Sequence, residues 1–445
     1  MRSKITLLSL VFLSAMAYVF LGYFTPRNNF YLLISLFAAL FVAMYYLYRQ
    51  ANTDSMVKKM LWFAILVRVS LLLMIPNLSD DYFRFIWDGR LLSHGINPFV
   101  VFPEKFIATS DAIKAGLNQE LYNGLNSKQY FTVYPPVLQF IFALSTKIFP
   151  DNILGSILVM RSVIILAEIG SFYIIVKLLK EFNLPLKKVL LYALNPMVII
   201  ELTGNLHFEA VLIFFLLGAI WFLVKNKLNV SAVFFGLSVA TKLIPLIFLP
   251  LLIRKIGFLK SIVYGLIAGG VFLVLFIPFI EKSLFFNFFS SIDLYFRKFE
   301  FNASVYYVLR WIGIEFSGYN MIYFIGPLLF VCAFISIIAI SFYRDVKSNY
   351  HFFTSMLFIL GIYYLFATIV HPWYLSVLVA LGLFTSYRFQ MAWSGLALLS
   401  YYTYITPSYQ ENLVLTALEY IVVGYLMAQE VRHRRVPLFS LYNSE

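Results

Sequence analysis

The chain has 445 residues, of which 62% are hydrophobic, 19% aromatic and only 12% charged. A soluble domain carries about 25% charged residues, so that class is excluded. The net charge of +13 would suit a polyanion-binding face, but its placement argues against a nucleic-acid partner. Basic residues sit in short clusters between apolar runs, "YRQ…KK", "KLLKEFNLPLKK", "KNK", "IRKIGFLK", "YRDVK" and "RHRR", the pattern of cytoplasmic loops in a membrane protein.

Mean hydropathy is +0.85, and apolar segments of about 20 residues, long enough to cross ~30 Å of hydrocarbon, recur throughout. Strands of about 10 residues with alternating polarity, as a barrel would need, are not found. The fold class is therefore all-α, a polytopic transmembrane helical bundle with about 12–14 membrane segments. Spans are predicted near 5–24, 29–48, 58–77, 152–178, 187–203, 207–224, 261–280, 318–342, 350–370, 373–387, 389–405 and 412–430. The first follows "MRSK" without a small-residue cleavage site and reads as a retained span. The single cysteine, Cys332, lies in an apolar run, so a disulfide framework or cysteine metal site within the chain is not expected.

With the N-terminus inside, the third span exits outward and residues 78–133 form a long extracytoplasmic loop. Two segments fit a simple span badly. "YPPVLQFIFALSTKIFP" is short and opens on two prolines, so 134–149 reads as a half-helix or re-entrant segment. "VSAVFFGLSVATKLIPLIFLPLLIRK" is flanked by basic residues and interrupted by Lys242 and Pro245; a bent pair of short helices meeting near the outer face satisfies both ends. The chain thus divides into N-terminal helices (1–77), an extracytoplasmic loop with its re-entrant segment (78–150), and the remaining bundle (151–445).

The stretch "NLSDDYFRFIWDGRLLSHGINPF", residues 77–99, places two carboxylates where a helix leaves the bilayer. Ser79 suits an N-cap, Asp80 and Asp81 suit a helix N-terminus, and Gly95 and Pro98 suit its end. Residues 80–94 are expected as one amphipathic helix at the outer surface. On it Asp81, Arg84 and Asp88 share a face, with Phe83, Ile86, Trp87 and Leu91 turned away. A bland reading, a cap with a surface ion pair, competes with a chemical one. Other polar residues fall on the same side: Glu201, Asn205, His207 and Glu209 in "ALNPMVIIELTGNLHFEA", His371 in "TIVHPWYL", and Lys242 at the bend. Ionisable residues at membrane depth are often functional. Arg68, Arg161 and Glu168, inside spans, read instead as structural ion pairs. Asn302-Ala303-Ser304 matches a glycosylation sequon.

A carboxylate in an outward cavity among Lys, Arg and His suits transfer of a sugar from a lipid phosphate. The acceptor hydroxyl needs one base, and the leaving phosphate needs cations more than an acid. In-line attack with a single carboxylate inverts the sugar carbon. No Gly-rich phosphate loop points to a nucleotide donor, and neither a metal nor another cofactor is expected.

The pieces "SDDYFRFIWDGRLLSHGINPF", "VYPPVLQF", "ALNPMVIIELTGNLHFEA", "SVATKLIPLIFLPLL" and "HPWYL", in this order over roughly 60–380, resemble the GT-C class of membrane glycosyltransferases. The likeness is to bacterial polyprenyl-phosphate-mannose-dependent mannosyltransferases and to the eukaryotic glycosylphosphatidylinositol first mannosyltransferase. The resemblance implies a hexose donor, mannose, on a polyprenyl phosphate, a glycan or glycolipid acceptor, and a bacterial inner-membrane enzyme with an extracytoplasmic site. It maps the catalytic acidic motif to Asp80-Asp81, with Asp81 favoured because it shares a face with Arg84 and Asp88. It maps the tyrosine-proline element to Tyr134-Pro135-Pro136 and the Asn-Pro and Gly-Asn elements to Asn195-Pro196 and Gly204-Asn205. Lys242, His371, Arg84 and Tyr134 are then expected at the donor phosphate, and Asp88, Asn205, His207 and Glu209 at the substrate. Two other readings stay open at this point. A transporter or flippase for a lipid-linked saccharide would explain broken helices, though two related halves are not seen. An O-antigen polymerase or ligase would leave Asp80 and Asp81 dispensable.

Overall fold

In hydrocarbon the backbone must satisfy its own hydrogen bonds, and the long apolar runs of this chain do so as helices. A computed structural model describes residues 2–433; Arg434 and Arg435 of the terminal basic cluster lie outside the described residues. In chain order the main helices are α1 (Arg2–Phe24), α2 (Phe30–Gln50), α3 (Asp54–Ser70), α4 (Asp81–Ser93), α5 (Pro136–Ile148), α6 (Ile153–Glu181), α7 (Glu209–Val224), α8 (Leu228–Thr241), α9 (Phe258–Phe276), α10 (Leu284–Arg297), α11 (Ile322–Tyr343), α12 (Asn349–Phe366) and α13 (Leu413–His433). Among the described residues, extended pairing is limited to one parallel bridge, Phe301 to Ile369. The all-α bundle expected from composition is the architecture observed.

Six of the described helices, α1, α2, α6, α9, α11 and α13, are long and apolar enough to cross a membrane unbroken. The other expected spans are shorter or interrupted. Helix α3 stops at Ser70 rather than near 77, and the segment expected at 389–405 is a short helix, Phe389–Leu396, running into a 3-10 turn, Ala397–Tyr404. The segment expected at 187–203 is a chain of short turns ending in a π-helical turn, Ile199–Gly204. Pro196 has no N–H to continue a helix, and the Asn195 side chain accepts from the Met197 and Val198 N–H groups instead. Pro196–Gly204 then meets α7 at 112°, with Leu206 in the left-handed region at φ 62°.

Buried charges clamp this broken span onto α6. Arg161 donates to the carbonyls of Thr203 (2.8 Å) and Gly204 (2.9 Å), groups that a continuous helix would have satisfied itself, and to Leu72 O (2.8 Å) just past the end of α3. Arg68 pairs with Glu168 at 2.7 Å and donates to Ala193 O at 2.8 Å, while Thr203 Oγ1 donates to the other Glu168 oxygen at 2.5 Å. Arg68, Arg161 and Glu168 are fully buried, in the structural role read from their positions.

Helix α4 is buried rather than laid on the outer surface. Phe85, Ile86, Trp87 and Leu91 are at most 2% exposed, and α4 lies directly against α5. Gly89 permits that approach, since a Cβ there would stand 2.4 Å from Phe142 O. The N-cap position is Asp80, not Ser79; the Ser79 hydroxyl accepts from Asp81 N at 3.3 Å. At the other end Gly95 takes φ 76°, and the Ile96 and Gly95 N–H groups return to Leu91 O and Leu92 O, a Schellman closure.

The bend expected at Lys242 is present. Helix α8 ends at Thr241, Lys242 is extended (φ −152°, ψ 144°), and a 3-10 turn, Ile244–Phe248, leads into Leu249–Ile256. The basic loops converge at one end of the bundle. Lys187 lies over Tyr48, Lys188 donates to Leu383 O and Thr385 O, Lys225 pairs with Glu181, and Lys255 donates to Val346 O and Lys347 O. Because α7 and α8 run from Glu209 to that end and back to Thr241, Glu209 and Lys242 mark the opposite end.

The sequon does not lie on a surface. Asn302 is fully buried and its amide donates to Val370 O and Glu419 Oε1, both at 3.3 Å. Expressed in a glycosylating host, the folded protein is expected to show no mass change on glycosidase treatment.

Candidate active site

Opposite the basic loops, residues from many segments line one cavity of ≈ 990 Å³. Its polar wall includes Arg27, Asp80, Asp81, Arg84, Asn126, Tyr134, Glu209, Lys242, Glu300 and His371. The two adjacent carboxylates have separate partners. Asp80 is in an ion pair with Arg27 at 2.6 Å. Asp81 accepts from Asn126 Nδ2 at 2.8 Å. Burial pushes the Asp81 carboxyl above its ordinary range; the Asn126 hydrogen bond and the Lys242 charge oppose the rise, and the Asp80 charge adds to it. Asp81 therefore lies within electrostatic reach of both Lys242 and Asp80.

Lys242 leaves the bend to meet Glu209, the first residue of α7, at 2.5 Å, with its ammonium 5.8 Å from the centre of the Tyr374 ring. Glu209 is almost fully buried, and its second oxygen has no hydrogen-bond partner among the described residues. His371 stacks at 4.2 Å on Trp373, whose other face carries His207 at 3.7 Å. Burial, with the Lys242 charge, pushes the His371 imidazole down to about 3, so the ring is neutral and its Nδ1, without a hydrogen-bond partner among the described residues, is a neutral polar group at the cavity wall. The Tyr134 ring forms edge contacts with Phe85 (5.1 Å) and Phe142 (5.7 Å).

Three expected substrate residues stand behind this wall rather than in it. Asp88 is fully buried; it pairs with Arg84 at 2.8 Å and accepts from Thr132 Oγ1 and Gln139 Nε2. Arg84 lines the cavity, but its guanidinium also donates to Ser127 O and Tyr130 O, tying α4 to the following loop. Asn205 Oδ1 accepts from Leu78 N at 3.3 Å, holding the backbone just before the aspartates, and its amide donates to Glu201. His207 is 2% exposed and 3.5 Å from Glu201. Each lies next to a residue of the wall, and period and spacing along the chain do not tell a wall from its backing.

Other cavity residues gave no such signal. Arg27 and Asn126 lie 53 and 45 positions from the aspartates they meet, and neither sits in a motif. Trp373 lies within "HPWYL" but carries no charge, so its residue type alone does not mark a site.

Residues 15–256 match a family model described as alpha-(1->6)-mannopyranosyltransferase, N-terminal domain. The match spans more than half of the chain and includes Asp80, Asp81, Tyr134, Glu209 and Lys242; His371 lies beyond it. No curated protein matches the chain.

Proposed function

This chain belongs to the alpha-(1->6)-mannopyranosyltransferase family, and from that premise we propose that its cavity moves mannose from a polyprenyl-phosphate-linked donor to a glycan or glycolipid acceptor, with inversion. Membership makes the chain a membrane glycosyltransferase that transfers mannosyl groups, and it sets the transporter reading aside. The single observation that carries the proposal is that a carboxylate, Asp81, and an ammonium, Lys242, share one cavity within electrostatic reach.

Asp81 is the better base. Asp80 is already engaged by the Arg27 guanidinium at 2.6 Å, which occupies one of its oxygens. The Asp81 carboxyl, raised by burial, takes a proton more readily, as base catalysis near neutrality requires. Lys242 receives the leaving phosphate, with neutral His371 beside it and Tyr134 and Arg84 completing the wall. Glu209 is the counter-ion that positions Lys242. Asp88, Asn205 and His207 act one layer back, through Arg84, Leu78 and Trp373 respectively. The basic loops gather at the far end, and the positive-inside rule puts those in the cytoplasm. The cavity then opens on the extracytoplasmic side of a bacterial cell membrane.

The test is transfer of radiolabelled mannose in proteoliposomes, from a polyprenyl-phosphate donor and in parallel from a nucleotide-linked one. Transfer from the lipid donor alone, giving a 1→6 product of opposite anomeric configuration, is expected; transfer only from the nucleotide donor would reject the proposal. Lys242→Gln is expected to raise the donor KM about tenfold, the low end for one charge-assisted hydrogen bond of about 1.5 kcal/mol. Glu209→Gln in the same chain removes the buried carboxylate that Lys242→Gln strands, so the double variant should recover expression but not donor KM.

A further inference from the structure

Tyr409 combines three features that packing alone does not explain. It is 57% exposed although it is a large aromatic. It lines the cavity. Its backbone is left-handed at φ 51°, a conformation that a bulky side chain adopts only under strain. Burial does not offset that strain, because the side chain stays exposed where it lines the cavity.

What holds it there is a short relay. The Tyr409 ring stands edge-on to Tyr404 at 5.8 Å and 86°. Tyr404 in turn has the Arg27 guanidinium 5.0 Å from its ring centre, and Arg27 pairs with Asp80 at 2.6 Å. The ledge therefore begins at the acidic pair and runs outward. Lys242 belongs to a different group, with Glu209, Tyr374 and the ring stack at His371. Asp81 feels charge from a member of each group, Lys242 and Asp80, and lines the same cavity as both. A base that serves two substrates needs the donor phosphate on one flank and the acceptor hydroxyl on the other.

We propose that Tyr409 and Tyr404, with the Arg27–Asp80 pair at their root, form the acceptor subsite, on which the terminal pyranose of the acceptor stacks. This rests on the transferase reading above. A pyranose ring has an apolar C–H face and a hydroxyl rim. An exposed tyrosine offers the first a flat apolar partner, and a guanidinium–carboxylate pair offers the second both donors and acceptors. The ligand class is thus a hexopyranoside, neutral at its terminal ring, entering from the aqueous end of the cavity.

The test uses full-length protein in proteoliposomes, octyl α-mannoside as acceptor and polyprenyl-phosphate-mannose as donor. Tyr409→Ala is expected to raise the acceptor KM tenfold or more, with donor KM and kcat at saturating acceptor each within threefold of wild type. Tyr409→Phe keeps the ring and should restore the acceptor KM most of the way. An unchanged acceptor KM in Tyr409→Ala, or a rise confined to the donor KM, overturns the subsite. Wild-type protein that transfers nothing rejects the transferase reading instead. Equilibrium binding of octyl α-mannoside to wild type and Tyr409→Ala then decides: binding weakened tenfold in the variant upholds the ledge, and equal or no binding overturns it.

Discussion

Asp81→Asn is expected to lower mannosyl transfer at least about 10²-fold, the low end for the loss of a positioned general base, with donor KM nearly unchanged. The amide is close in shape to the carboxylate and can still meet Asn126, so the loss reports proton transfer rather than collapse of the wall. Asp80→Asn should behave differently, since it removes a counter-ion of Arg27 and disturbs the root of the acceptor ledge. A pH profile separates base from scaffold. The base must be ionised to act, so kcat/KM rises with pH as Asp81 loses its proton. Burial raises that carboxyl, so the half-point should lie above the ordinary aspartate value of about 3.9. Because the Asn126 hydrogen bond favours the anion, Asn126→Ala should move the limb to still higher pH, and Asp81→Asn should abolish it. Equal transfer by wild type and both aspartate variants would favour the polymerase or ligase reading, in which these carboxylates are dispensable.

Glu168→Ala is expected to be the most destabilising substitution in the bundle. It leaves Arg68 in a fully buried site without its carboxylate and frees the Thr203 hydroxyl that steadies the π-helical turn. Breaking one side of a buried pair typically loses about 3–5 kcal/mol, and denaturant unfolding in detergent measures it. The Arg68→Met/Glu168→Met double variant should lose less than Glu168→Ala, because no uncompensated charge remains. A double variant that is worse than the single one would mean that the carbonyls of the broken span, not the charge pair, dominate.

The two predictions mark what was legible in the sequence and what was not. Where apolar residues run with hardly a break, as in α2 or α11, length and hydropathy alone locate the helix, because hydrocarbon leaves the backbone no alternative. The interrupted elements are harder. Lys242 and Pro245 announced their bend, since a charge and a missing N–H are local signals. The break after Asn195 looks like a span in the sequence because the carbonyls it releases are met by Arg161, more than 40 positions upstream. Helix α4 shows a related limit: its heptad spacing of Asp81 and Asp88 is a true shared face, yet only Asp81 reaches the cavity. Burial of α4 on several sides at once depends on α5 and the intervening loop, and amphipathic spacing looks the same for a helix on a surface as for one whose polar face meets buried polar partners. The acidic motif and the cations could be named in advance; Arg27, Asn126 and the tyrosine ledge depended on contacts across long chain separations.

The three-ring stack of His207, Trp373 and His371 has a consequence for how this wall can vary. The planes lie within 13° and 7° of parallel at the two contacts, so the rings behave like leaves of a laminate with no slack between them. A thinner or bulkier side chain at His207 would shift the outermost leaf by a similar amount, although His207 itself is 2% exposed and does not line the cavity. Adjusting the shape of the cavity therefore does not require altering a residue that lines it; a shim placed behind the wall suffices.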